Sequence, residues 1–522
     1  MRYGVRAMLK DIKIFIQRIL TNHLFAPIIA GFCLFLVLIF ARTDMWDAAI
    51  INYAIRIREW GGLRRLTADA DLDSGFFFGR LEGLLSQIFH VNFLLIDRVV
   101  LGIAILVISY LLFHISNARF YMSSRWSAFG LLLFVSFPSW HVLASSTQTY
   151  YFVSLALTMC GVHLIYRGKR QLALVGVITL LMSFDMNSLI LFAPAFALIY
   201  EATQNVTTSI VKRCIRPFGI AFIGILYWFV SRALSQPSGL YAGYNKMVNP
   251  LSLDGWRVLK TGFTTYSTFA ILPVLGITVL TCLVILFGSS NQRLRSLSRG
   301  NFTAISTLIP LCFASVLPYI VVQKSTFIDD FDWDGRHAIP LSIPISLLVM
   351  LTTHSVFLQL AVHGRWRSVW KITVVALIVA PQGFILMHGL TMKLGRQEFE
   401  EKLIQELKTE QVRPGVVEIV GLPLFIPDFR VYESNYLMYR AFGEAKWWTR
   451  IGQAEDPNFT VPDWIQRVDY QDIYIYQPPK TACRTIIQVS LTNYGGFWEG
   501  AKSMIRLVNE SSVQIVSVKS SC

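Results

Sequence analysis

Eleven apolar stretches occupy most of residues 24–390, near 24–41, 97–116, 126–143, 151–166, 171–185, 187–201, 217–234, 266–288, 302–322, 338–358 and 371–390. A helix crossing the roughly 30 Å hydrocarbon core of a bilayer needs about 17–25 apolar residues. In lipid the backbone must satisfy its own hydrogen bonds, so a chain of this kind folds as a bundle of membrane helices. The loops between the stretches alternate in charge. Arg119 and Arg125, then Arg167, Lys169 and Arg170, then Lys212, Arg213 and Arg216, then Arg293, Arg295 and Arg299, then Arg365, Arg367 and Lys371 fall in every second loop. The N-terminal segment carries Arg2, Arg6, Lys10, Lys13 and Arg18. Lys and Arg beside spans stay cytoplasmic, so the expected topology is N-terminus inside. With an odd number of spans, everything after about residue 391 is then outside. The intervening loops hold Asp44, Asp47, Asp69, Asp71, Asp73, Asp254, Asp329, Asp330, Asp332 and Asp334.

Composition agrees: 54% of the 522 residues are hydrophobic and 15% charged, with a mean hydropathy of +0.51. The net charge of +15 sits mostly in short basic loops, where it sets topology and meets anionic headgroups. It therefore does not argue for nucleic acid as a partner. No cleavable signal peptide is expected, because the first apolar stretch is of span length and lacks a small-residue cleavage site. Cys33, Cys160, Cys214, Cys282 and Cys312 fall in spans or near the cytoplasmic side and read as small packing residues. Cys483 and Cys522 lie in the outer tail, where the compartment permits a disulfide, and they are expected to pair.

The fold class expected is an α-helical polytopic membrane protein of about eleven spans, with an α+β extracytoplasmic domain at its C-terminus. Residues 1–390 form the membrane part, including a long first outer loop at 42–96, and residues 391–522 the outer domain. In the first loop Trp46, Ile50, Tyr53 and Ile57 recur at helical spacing, as in a helix lying in the membrane interface. In the tail, helices are expected near 396–410, 433–443 and 497–508. Strands are expected at 416–420, 472–477, 484–492 and 512–519, and an aromatic cluster at Trp447-Trp448.

Candidate chemistry collects on the outer side. Asp44 and Asp47, three residues apart on a helix, share a face. At the edge of the hydrocarbon such a carboxylate can act as a general base or hold a cation, or Asp44 can simply cap the interfacial helix. Asp185, in Ser183-Phe184-Asp185-Met186-Asn187-Ser188, lies between two short spans. An ionisable group so close to lipid faces a cavity or a partner, though a tight turn also favours Asp. Asp330, Asp332 and Asp334 alternate, and in an extended segment their carboxylates share one side, where a divalent cation can bind; a solvated loop is the other reading. Arg336 and His337 enter a late span. A guanidinium grips phosphate bidentately, and a histidine adds a hydrogen bond or moves a proton; an interfacial anchor paired with the neighbouring aspartates is the other reading. Arg232 and Lys246 are further phosphate candidates. His114, His163 and His354 lie toward cytoplasmic ends and read as packing residues. The sequence carries no phosphate-binding glycine loop, and no nucleotide cofactor is expected.

In layout the chain resembles the GT-C class of polytopic glycosyltransferases. The residues that carry the likeness are the Asp44/Asp47 pair leading into an interfacial helix and the stretch Asp334-Gly335-Arg336-His337-Ala338-Ile339-Pro340 at the mouth of a late span. The placement of the C-terminal domain is similar too. The resemblance implies transfer of a sugar from a polyprenyl-phosphate donor to an envelope glycan, lipid or protein acceptor at the outer face of the plasma membrane. Asp44 or Asp47 would be the base, and Arg336 and His337 would hold the lipid phosphate. Two other readings share the layout: a polymerase or ligase of lipid-linked polysaccharide, and a transporter or flippase of lipid-linked glycans. A catalytically inactive member whose tail binds envelope partners is a third.

Overall fold

The computed structural model describes residues 25–40, 84–85, 88, 93–144, 148–184, 186–202, 210–234, 247–249, 252–262, 264, 292–324, 333–359, 366–422, 429, 431–444, 446–457, 483–492 and 512–521. The described chain is mostly helical, with a small sheet at its C-terminus. The helices are α1 (Phe25–Phe40), α2 (Phe93–Ala118), α3 (Ser124–Val135), α4 (Thr149–Ile165), α5 (Arg170–Ser183), α6 (Leu189–Ala202), α7 (Ile210–Leu234), α8 (Gln292–Val321), α9 (Ser342–Gln359) and α10 (Trp366–Thr409). Each covers one of the apolar stretches, and the stretch 266–288 lies outside the described residues. Among the described residues, three helical segments suffice by length and composition to cross a membrane: Leu95–Ala118, Arg213–Leu234 and Ala304–Val321.

Consecutive helices run up and down, except α7 and α8, which both end on the side of the bundle where Tyr319 meets Ser188. Phe35 of α1 would meet a Cβ on Gly102, and Leu106 would meet one on Gly31, so α1 and α2 are antiparallel. Trp126 packs on His354 and Gly130 on Met350, which sets α3 antiparallel to α9. The closest approach is between α4 and α5. A Cβ on Gly161 would lie 2.8 Å from the Gly176 carbonyl oxygen, and one on Gly176 2.7 Å from that of Gly161. Small residues let the two helices touch backbone to backbone, where dispersion contacts are densest. One end of the bundle collects Arg119, Arg125, Arg167, Lys169, Arg170, Arg213 and Arg216, and is called the basic end below. The opposite end holds the first turn of α2, the turn between α5 and α6, and the chain around Arg336.

The stretch expected as one helix over 126–143 is broken. Pro138 disfavours helix at the residue before it and supplies no amide, and α3 ends at Val135. Residues Pro138–Ala144 fold instead as a 3₁₀ turn. The Ser136 amide closes the last helical bond to Leu132 O, and the Phe134 carbonyl, which Pro138 cannot serve, accepts from the Phe137 amide and the Trp140 indole N–H. Trp140 itself is fully buried between Phe134 and Phe152.

Helix α10 carries the chain without interruption across residue 390. Ser136 bonds to its Gln382 at 3.3 Å at the end opposite the basic one, and the helix continues for a further 27 residues to Thr409. Its last turns bury Phe399, Leu403, Ile404 and Leu407 against the sheet formed by β1 (Gly415–Val420), β2 (Trp447–Gly452), β3 (Arg484–Thr492) and β4 (Ser512–Ser521). The strand order is β2-β1-β3-β4, with β1 parallel to β2 and β3, and β3 antiparallel to β4. Helix α11 (Val431–Phe442) makes the crossover from β1 to β2, as parallel pairing requires. Trp447 and Trp448, expected as a cluster following the helix, open β2, and both are buried. The expected strand at 472–477 and helix at 497–508 lie outside the described residues.

Two ionic groups hold this domain. Fully buried Arg396 on α10 reaches Glu400 at 3.3 Å and Glu433 of α11 at 2.8 Å, and lies over the Phe429 ring. Burial works to lower its pKa, but Glu433 and Glu400 more than offset this, so the guanidinium stands above its ordinary value. On the sheet, buried Glu418 of β1 accepts from Arg450 of β2 and Arg484 of β3, joining three strands through one carboxylate.

Candidate functional site

The end of the bundle opposite the basic one is lined by buried polar side chains from six separate parts of the chain. After α8 the chain re-enters the bundle through a second 3₁₀ turn, Trp333–Ala338. This turn seats Arg336 and His337 at 3% and 1% exposure. The Arg336 guanidinium carbon lies 5.6 Å from the centre of the Tyr151 ring, on the first turn of α4. The His337 ring stands 4.7 Å from that of Tyr319 on α8. The Tyr319 hydroxyl in turn shares a 2.9 Å hydrogen bond with Ser188, at the mouth of α6.

Gly335 allows the two 3₁₀ turns to meet. A Cβ there would fall 3.1 Å from Val142 and 3.2 Å from the His141 ring. His141 is fully buried, and its Nδ1 is 2.8 Å from Pro138 O. A carbonyl can only accept, so Nδ1 carries the proton, and Nε2, the basic nitrogen, is the one turned toward Gly335. The first 3₁₀ turn is anchored from α2: Arg98 donates to Leu143 O, and Asp97 lies 3.7 Å from the same guanidinium. Both are about 1% exposed. Ionisable groups are held at such depth in a membrane bundle at considerable cost, and face one another or a ligand path. A guanidinium, two imidazoles, a phenol and a hydroxyl brought together in this way can bind an oxyanion and neutralise charge that develops on it.

Of the residues singled out in the sequence, Arg336 and His337 are therefore brought together with partners from α4, α6 and α8. Arg232 lies half-buried in the last turn of α7, at the same end of the bundle. Asp44, Asp47, Asp185, Lys246, Asp330 and Asp332 lie outside the described residues. The backbone of Asp334 belongs to the 3₁₀ turn, so the alternation of an extended run does not continue through it. Among the described residues no three His, Cys, Asp or Glu side chains are grouped to hold a metal ion. Cys483 is disulfide-bonded, and Cys522 lies outside the described residues. The β3–β4 register pairs Arg484 with Ser521, the residues next to each of these cysteines. Cys33, Cys160, Cys214 and Cys312 are free thiols.

Sequence reasoning missed Asp97, Arg98, His141, Tyr151, Ser188 and Tyr319. Asp97-Arg98 was detectable, since a charge pair at the head of an apolar run is itself a signal. His141 and the two tyrosines look like ordinary interfacial residues until the fold places them beside Arg336. Comparison with family models, with curated proteins and with solved structures finds no match to this chain.

Proposed function

We propose that the protein is a membrane glycosyltransferase that moves a sugar from a polyprenyl-phosphate carrier to an envelope acceptor at the outer face of the plasma membrane. In this reading the eleven apolar stretches all span the bilayer, the basic end faces the cytoplasm, and the C-terminal domain is extracytoplasmic. The observation that carries the proposal is the burial of Arg336 and His337 beside Tyr151 and Tyr319, at the end of the bundle from which α10 emerges.

The chemistry follows from what sugar transfer needs. The acceptor hydroxyl oxygen attacks the anomeric carbon, and its proton passes to Asp44 or Asp47. The bond from that carbon to the phosphate oxygen breaks, and the electron pair leaves with the polyprenyl phosphate. Negative charge grows on the leaving phosphate, and Arg336 and His337 are the groups suited to receive it. A carrier that arrives by lateral diffusion also needs no nucleotide site. A pyrophosphate carrier, as in a polymerase or ligase, would use the same pair, Arg336 and His337.

The test compares lipid-linked sugars in a deletion strain with those in the parent, and follows release of polyprenyl phosphate by the purified protein. Accumulation of a monosaccharide carrier, with release restored by the wild-type chain, is the expected result. An accumulated oligosaccharide carrier would move the assignment to a polymerase, ligase or flippase. Unchanged carrier pools would remove it.

A further inference from the structure

The basic end carries a cavity. It lies between α1, α2, α4 and α5, measures about 730 Å³, and is walled by Pro27, Leu106, Leu111, Cys160, Leu164 and Leu172. It opens sideways, since Ile28, Leu106 and Tyr110 on its lining are 52%, 38% and 37% exposed. His163, Arg167 and Lys169 complete the lining at the basic end. Here the polar groups are ordered in a chain. Arg167 donates from Nε to His163 Nε2 at 3.1 Å, so His163 carries its proton on Nδ1 and donates it to the Tyr200 hydroxyl at 3.0 Å. Arg167 is thereby held through Nε, while its side chain stays exposed at the mouth. Arg119 over the Tyr200 ring and Arg216 over the Tyr166 ring add cations at the same end, and buried Glu201 beside Tyr166 offsets part of that charge.

We propose that this cavity binds one anionic phospholipid of the leaflet at the basic end, with an acyl chain between α1, α2, α4 and α5 and its phosphate on Arg167 and Lys169. Three features together select this occupant. The walls are apolar and fit a hydrocarbon chain. The opening is lateral, so a lipid enters without leaving the bilayer. The two exposed cations stand at one end of the cavity, where a headgroup lies. A zwitterionic lipid fits the walls equally well but gains less at the mouth, because each Lys or Arg near an anionic surface is worth only its interaction with net negative charge. The inference rests on the chain being a membrane protein and not on the proposed transferase activity.

The test is native mass spectrometry of the full-length protein in detergent, offered phosphatidylglycerol, phosphatidylcholine or inorganic phosphate. Wild-type protein should retain one phosphatidylglycerol at concentrations where phosphatidylcholine is lost. Arg167→Gln with Lys169→Gln should weaken retention by about tenfold or more. Leu172→Trp, which fills the cavity from its rim, should weaken it with the charges intact. Arg125→Gln, which removes a cation from the same end outside the cavity lining, should leave retention unchanged. Competition by inorganic phosphate would support the headgroup contact alone and overturn the acyl-chain assignment if Leu172→Trp had no effect. Equal retention of both lipids, or loss in Arg125→Gln matching that of the double variant, would overturn the proposal. So would absence of any retained lipid.

Discussion

Ser188 and Tyr319 share a 2.9 Å hydrogen bond across 131 residues of sequence, and the ring of that tyrosine backs His337. The bond ties the mouth of α6 to the end of α8 directly behind the proposed phosphate pocket. In the proposed site Tyr319 therefore positions His337. Tyr319→Phe keeps the ring and removes the hydroxyl, at an expected cost of about 0.5–1.5 kcal/mol in stability and a several-fold loss of transfer. Ser188→Ala should do the same. Because both changes break one bond, the double variant should lose little beyond either single one, and a thermodynamic cycle measures this coupling. Fully additive losses would show that the hydroxyls act separately.

Arg336→Lys keeps the charge and removes the planar fork of donors. If Arg336 grips a phosphate bidentately, release of polyprenyl phosphate should fall by about 10²-fold, as when an electrostatic donor to a developing oxyanion is lost. The protein should still fold, and the membrane level of the variant is matched to wild type before comparison. A variant that transfers normally would reduce Arg336 to a stacking partner of Tyr151.

The Arg396 network makes the opposite kind of prediction, on stability with no direct role in chemistry. Arg396→Met would leave the buried carboxylate of Glu433 without its 2.8 Å partner, which typically costs about 3–5 kcal/mol. The damage should localise. Limited proteolysis should cut within 410–522, while the helical bundle stays protected and thermally stable. Replacing Arg396 and Glu433 together by apolar residues should recover much of the loss, since a buried pair is often replaceable as a unit.

The helices were legible in the sequence because apolar length is a local property, and the sheet strands β1, β3 and β4 because their β-branched runs are local too. Pro138 shows where local reading stops. Pro194, Pro217, Pro310, Pro318 and Pro381 all sit inside helices, as membrane helices tolerate, and nothing adjacent in sequence marks Pro138 as breaking its stretch where these do not. What does so is tertiary: the Trp140 side chain caps the freed carbonyl of Phe134, and Arg98, 45 residues upstream, holds Leu143. The site divides in the same way. Arg336 and His337 were visible as charge at the head of an apolar run, whereas Tyr151, Ser188 and Tyr319 matter only through contacts that no spacing encodes. Trp447-Trp448 was legible in principle, since aromatic residues favour strands, but an aromatic pair near a membrane reads equally as an interfacial anchor.

A disulfide between Cys483 and Cys522 should tie the last strand to β3. Cys483 is disulfide-bonded, and the paired neighbours Arg484 and Ser521 put the two ends of the hairpin in register. Closing a loop of about 39 residues is worth roughly 3–4 kcal/mol in the chain-entropy model. Mass mapping without reduction should find the linked peptide in protein exported to an oxidising compartment, and Cys522→Ser should lower the melting temperature of the C-terminal domain. Two freely alkylated thiols would break both the pairing and the outer placement of this domain.

The most exposed prediction is that Asp44 or Asp47 works with Arg336 although about 290 residues separate them. The two readings of this pair differ in what asparagine should do. As a helix cap, Asn serves about as well as Asp, because either side-chain oxygen accepts from the free amides of the first turn. As a general base, Asn fails, because it cannot take the proton of the acceptor hydroxyl, and losses of about 10²–10⁴-fold are typical. Asp44→Asn and Asp47→Asn are therefore compared for transfer at matched membrane levels, and for thermal stability in detergent. One of the two should lose transfer by that factor with its melting temperature held. Combined with Arg336→Lys, the catalytic variant should fall further, since base and leaving-group stabilisation act on different atoms of the same transition state. Near-normal transfer by both asparagine variants would leave the aspartates as caps, and the base would then have to come from the cluster around His141.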